Sequence, residues 1–73
     1  MKSCEIKMVW DDGVWCAESD DTLGIVLESS SFDELIERVR MAVPEMYELN
    51  FGYTGEIHIT FVTVRTDVMK AVS

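Results

Sequence analysis

Met8-Val9-Trp10-Asp11-Asp12-Gly13-Val14-Trp15 is the stretch that decides the fold. Asp-Gly between two apolar runs is among the better short-range signals for a tight hairpin turn. With Asp12 and Gly13 as the loop, Trp10 falls opposite Trp15, Met8 opposite Ala17 and Val9 opposite Cys16. The two indoles then share one face of a two-stranded ladder, the face turned to the core, and Cys16 lies on the other.

Upstream, residues 3–10 alternate. Cys4, Ile6, Met8 and Trp10 fall on one side, and Ser3, Glu5 and Lys7 on the other, the period of a half-buried strand. Downstream, a second strand covers about Val14–Ser19 and ends at the polar turn Asp20-Asp21-Thr22. A third covers about Gly24–Ser29, with Ile25 and Leu27 on one side and Val26 on the other. Short links make these three an antiparallel meander.

Ser29-Ser30-Ser31 before Phe32-Asp33-Glu34 starts a helix. Ser31 and Glu34 have capping-box spacing, in which hydroxyl and carboxylate each satisfy an orphan N–H of the first turn. Asp33 and Glu34 also suit the positive end of the helix dipole. Leu35, Ile36, Val39, Ala42, Val43 and Met46 form an apolar stripe at helical spacing. Pro44 removes an N–H, so a kink is expected there, with a further turn to about Leu49. Asn50–Gly55 returns the chain to a last strand over residues 56–65, with Ile57, Ile59 and Phe61 on one face and His58, Thr60, Val62 and Val64 on the other. An intervening helix makes this strand parallel to the first, by a right-handed crossover.

The expected fold is therefore α+β, in the order βββαβ. It has one mixed four-stranded sheet and one Pro-kinked helix, a single domain over residues 1–65 and a short tail over 66–73. One helix covers only part of such a sheet. The uncovered face is expected to carry Val9, Cys16, Val26, Val62 and Val64, an apolar set suited to self-association or another chain.

Composition narrows the function. The chain has 73 residues, 48% of them apolar, which suffices for one compact core with a thin stability margin. Fourteen acidic against six basic residues give a formal charge of −8. Such a surface repels nucleic-acid backbones and anionic membranes and attracts basic proteins. No segment has the length or hydropathy of a signal peptide or a membrane span, which places the chain in the cytosol as an expectation. Cys4 and Cys16 lack metal-site or redox spacing and fall on opposite faces of neighbouring strands, so two reduced thiols are expected.

Catalytic chemistry finds no set of residues. Asp11-Asp12 and Asp20-Asp21 sit in turns, and Asp33-Glu34 is accounted for by helix capping, so no metal site is assigned. General acid–base work would need His58 in a cleft with an orienting partner, but it lies on a strand face beside Thr60 and Val62, where a solvated or interface histidine is expected. Cys16 has no adjacent base, and the serines at 29–31 lack a nucleophile elbow. No cofactor is expected. Trp10 and Trp15 fill the core, or leave one indole as an anchor for a partner.

The run 8–15, then Ser19-Asp20-Asp21-Thr22-Leu23-Gly24-Ile25-Val26-Leu27-Glu28, then Ser31-Phe32-Asp33-Glu34-Leu35-Ile36, resembles the amino-terminal domain of HicB-like antitoxins. Arg40-Met41-Ala42-Val43-Pro44-Glu45-Met46 is similar to a small branch of that group. The resemblance spans about residues 5–64. It implies a degraded ribonuclease-H-like fold without the nuclease carboxylates, which neutralises a small basic HicA-type toxin. Such toxins are mRNA interferases with a double-stranded-RNA-binding-like fold and a catalytic histidine that the antitoxin masks. Full-length members carry a DNA-binding segment after this domain. Thr66–Ser73 is too short for one, so operator binding is not expected of this chain.

The functional expectation is a non-enzymatic interaction module for a basic partner, with Asp11, Asp12, Glu18, Asp20 and Asp21 facing that partner and Trp15 as an apolar anchor. The alternatives are a homo-oligomeric adaptor without a toxin, and a metal-dependent hydrolase.

Overall fold

The computed structural model describes residues 1–72, so the last residue of the expected tail, Ser73, lies outside the described residues. The elements are β1 (Lys2–Asp11), β2 (Val14–Glu18), β3 (Val26–Ser29), α1 (Phe32–Phe51) and β4 (Ile57–Val64). They form one mixed sheet in the order β3-β2-β1-β4, with β1 parallel to β4 and the other pairs antiparallel. The α+β fold and the element order follow the sequence reading.

The hairpin register is the expected one: Trp10 pairs with Trp15, Met8 with Ala17 and Val9 with Cys16. Asp12 and Gly13 both have positive φ, 48° and 83°, the handedness that matches the twist of the flanking strands. The β2–β3 connection is longer than read. Gly24 at φ 71° delays β3 to Val26, and Leu23 and Ile25 turn inward from the loop and are buried.

Ser31 caps α1, its Oγ accepting from the Glu34 N–H at 3.2 Å. The capping box is only half made. The Ser31 N–H donates to Ser29 Oγ at 3.1 Å, so the serine run itself supplies the acceptor expected from Glu34. Leu35, Val39, Val43 and Tyr47 recur every four residues and form the buried stripe. Leu35, Val39 and Val43 are fully buried, each contributing roughly 1.5–3 kcal/mol of transfer free energy. The helix continues through Pro44 to Phe51, past the expected end at Leu49. Pro44 is exposed, as is Arg40, whose carbonyl loses its i+4 donor on the side open to water. Gly52 ends the helix at φ 64°, donating its N–H to the Glu48 carbonyl at 2.9 Å.

The core joins this stripe to Ile6, Met8, Trp15, Ala17, Leu23 and Ile25. α1 lies closest to β3 and β2. Ile57, Ile59 and Phe61 of β4 therefore face the helix side but remain only partly buried.

Candidate functional site

The direction of β2 separates the acidic turns. The hairpin puts Asp11 and Asp12 at one end of the sheet, while β2 delivers Glu18, Asp20 and Asp21 to the other. A five-residue strand sets the two groups about 15 Å apart. The five carboxylates read as one partner surface thus form two.

The end at the Ser19–Ile25 loop is the more structured. Ser19 Oγ accepts from the Ile25 N–H at 2.8 Å and donates to the Asp20 carbonyl at 2.9 Å. Asp20 Oδ1 accepts from the Leu23 N–H at 3.0 Å, and its carbonyl accepts from Gly24 N–H at 3.0 Å. Asp20 is the hinge of two surface hollows. One, of about 210 Å³, opens between the loop and the helix end and is lined by Lys2, Asp20, Thr22, Leu23, Tyr47 and Phe51. The other, of about 430 Å³, lies on the outer sheet face among Glu5, Lys7, Glu18, Ser19 and Asp20. Glu5 was missing from the sequence-based set. Its signal was its place beside Lys7 on the outer face, one step from the Lys7–Glu18 pair that the hairpin register fixes.

Trp15 is in the core, only 9% exposed, with its ring 5.2 Å from Trp10 and 4.8 Å from Phe32. Of the two indoles it is Trp10 that stays partly open, and the Arg65 guanidinium stacks over it at 4.7 Å. Trp15 is therefore not an exposed anchor, because its indole packs between the hairpin and the helix start.

The five residues read as a self-association face are split in the same way. Val64, Val9 and Cys16 stand side by side across β4, β1 and β2. In the neighbouring row Lys7 and Glu18 lie between Val62 and Val26. Glu5, Glu28, His58 and Thr60 occupy the same outer face, which is therefore mixed and not an apolar patch.

Both cysteines are free. Burial raises the Cys4 thiol pKa, against a smaller lowering by Tyr47. Burial also raises that of Cys16, reinforced by the carboxylates of Glu18 and Glu28. A nucleophilic thiol needs the opposite shift. His58 Nε2 meets Glu56 Oε1 at 2.7 Å on the exposed edge strand. Among the described residues no three His, Cys, Asp or Glu side chains converge as a metal ion would require. No helix among them is long and apolar enough to cross a membrane.

Comparison with known proteins places these features in a family. The family described as Domain of unknown function (DUF1902) matches residues 3–72. The fold is similar to the crystal structure of the hypothetical protein TTHA1013 from the extremely thermophilic bacterium Thermus thermophilus. That match has a TM-score of 0.73 and 30% sequence identity, and covers 93% of this chain and 100% of the other. No curated protein matches. The chain belongs to the DUF1902 family.

Proposed function

We propose that this DUF1902 domain is a non-enzymatic interaction module that neutralises a small basic toxin of the HicA type. The observation that carries the reading is the acidic sheet end, where Glu5, Glu18 and Asp20 outnumber Lys7 around one open hollow and exposed Asp21 stands beside them. A chain of net charge −8 steers a cationic partner toward it, and the open hollow offers concave relief for a basic side chain. The likeness of residues 8–36 to HicB-like antitoxins supplies the class of partner.

The neutralising contact follows from charge. An mRNA interferase binds its phosphate substrate with lysine and arginine, and carboxylates that pair with those groups compete with RNA for the same surface. No bond needs to be made or broken by this chain.

Co-expression with the product of the neighbouring open reading frame tests the reading. Co-purification with relief of growth arrest is expected. Glu18→Lys with Asp21→Lys should then weaken the complex about tenfold or more and flatten its salt dependence. The same reversal at Asp11 and Asp12 should leave it nearly unchanged. Absence of both the complex and the rescue would count against the toxin reading, and a complex indifferent to the Glu18 and Asp21 reversals would move the contact elsewhere.

A further inference from the structure

The two edges of the sheet are unlike. β3 is short, Val26–Ser29, its residue Glu28 is acidic, and Arg38 donates to the Glu28 carbonyl at 2.8 Å, occupying a backbone acceptor there. β4 runs for eight residues as Ile57-His58-Ile59-Thr60-Phe61-Val62-Thr63-Val64, without a carboxylate, a lysine, an arginine or a proline. Long, uncharged edges of high β-propensity are templates for another strand unless something blocks them.

The orientation of the free groups follows from one bond. Lys2 N–H donates to the Glu56 carbonyl at 3.1 Å, which turns that residue's backbone groups toward β1. By the two-residue period of a strand, the N–H and C=O groups of Ile57, Ile59, Phe61 and Thr63 point to the open edge. The side chains of these residues lie on the helix side, where Ile57, Ile59 and Phe61 are only partly covered.

Charge selects the occupant. Residues 1–56 hold thirteen acidic and four basic residues, a net −9, whereas residues 57–73 hold Arg65 and Lys70 against Asp67, a net +1. Two copies of so acidic a chain meet with less like-charge repulsion at β4 than at the other edge, although Glu5 stands beside Thr60. The molecule is also elongated. The molecule measures 58 × 19 × 19 Å with a radius of gyration of 14.8 Å, against about 11 Å for a compact domain of this length. Beyond β4, Val68 and Met69 are 94% and 85% exposed. Leu49, at the end of α1, is 79% exposed, and Phe51 is exposed as well.

We infer that the open edge of β4 binds a second copy of this chain, antiparallel and two-fold about Thr60, joining two four-stranded sheets into one. In that register Ile59 pairs with Phe61 of the other copy and Ile57 with Thr63, so every free edge group is used, giving about eight backbone hydrogen bonds. Thr60 meets Thr60 on the outer face, a favourable cross-strand pair. The tail of each copy runs toward the other's helix end. The strand seam at β4 is separated by β1 from β2, which carries Glu18, and the inference does not depend on the toxin reading.

Sedimentation equilibrium on the full chain tests it. The expected mass is twice 8.3 kDa at micromolar concentration. Thr60→Lys, on an exposed position, should give the monomer by setting two ammonium groups face to face, with the circular dichroism of the fold retained. Thr63→Pro, which deletes an N–H aimed at the open edge and none within the sheet, should do the same. Val26→Lys on the opposite edge should leave the dimer intact. Thr60→Cys, in a Cys4→Ala, Cys16→Ala background, should oxidise to a covalent dimer, since cross-strand Cα atoms at such a pair lie about 4.5 Å apart. A wild-type monomer up to about 100 μM, or a dimer that survives Thr60→Lys, would overturn the inference. A dimer without the Thr60→Cys cross-link would overturn its register. Loss of toxin binding with the dimer intact would bear only on the preceding proposal.

Discussion

Trp10 and Trp15 face one another across the β1–β2 ladder with ring centroids 5.2 Å apart and planes tilted by 56°. The tilt avoids a face-to-face sandwich, which the aromatic quadrupole disfavours. Phe32 closes on Trp15 from the first turn of α1 at 4.8 Å. One indole thus ties the hairpin to the helix start, and the other lies beneath Arg65 at the end of β4.

Truncating the two tryptophans should therefore have unequal effects. Trp15→Ala empties a core site contacted from two elements and should cost about 3–5 kcal/mol, a large share of the stability of a domain this small. Trp10→Ala removes a partly exposed ring and should cost clearly less. Urea unfolding followed by circular dichroism checks the order, and equal losses would contradict the placement of Trp15.

Asp20 has two properties that a single substitution confounds. Its Oδ1 accepts from the Leu23 N–H, and its charge belongs to the acidic sheet end. Asp20→Asn keeps an oxygen acceptor and removes the charge, so stability should stay within about 0.5 kcal/mol of the parent. Asp20→Ala leaves the Leu23 N–H without its partner and should cost about 1 kcal/mol or more. Thermal unfolding of the two variants separates loop geometry from electrostatics, and partner binding is best measured with the asparagine form.

These distinctions show where the sequence was sufficient. The register across Trp10 and Trp15 was legible because one Asp-Gly pair fixes the loop length, and a fixed loop length fixes every pairing behind it. The helix start was legible from Ser31, but its end was read from the stripe at about Leu49, whereas Gly52 caps it after Phe51. The Ser31 N–H was assigned to Glu34 because spacing cannot tell a carboxylate from the nearer hydroxyl of Ser29. The candidate site was less legible. Acidic turns look alike in a sequence, and only strand direction shows that Asp12 and Asp21 stand at opposite ends. Apolar outer-face residues likewise form a patch only where the rows align, and Lys7 and Glu18 fall between Val26 and Val62.

Alkaline pH should destabilise the domain through three groups. Burial raises the pKa of Cys4, Cys16 and Tyr47 above their ordinary values. Above about pH 8.5 the unfolded chain releases these protons first, so the folded state binds more of them and stability falls as pH rises. Below that range the contribution is fully present and flat. Urea midpoints should therefore be level with respect to these groups from neutral pH upward until the thiols begin to titrate, and then decline. Cys4→Ala with Cys16→Ala should flatten the first part of the decline, and Tyr47→Phe the later part. Both thiols should also alkylate slowly at neutral pH.

Pro44 offers a test of the opposite sign. It sits inside α1 on an exposed face, between buried Val43 and Tyr47, and takes away the N–H that the Arg40 carbonyl would accept. Proline inside a helix is disfavoured against alanine by up to about 3 kcal/mol, partly offset because proline also restricts the unfolded chain. The freed carbonyl faces water here, which lowers the cost further. Pro44→Ala should thus stabilise the domain by about 1–2 kcal/mol, raise its melting temperature and increase helical ellipticity. Its ring also lines a surface hollow with Glu45, Glu48, Tyr53 and Ile57, so a loss of stability would mean that packing there outweighs the missing hydrogen bond. Measured beside Met41→Ala, an exposed change on the same helix that leaves the backbone ladder intact, the difference isolates the backbone effect from helix propensity.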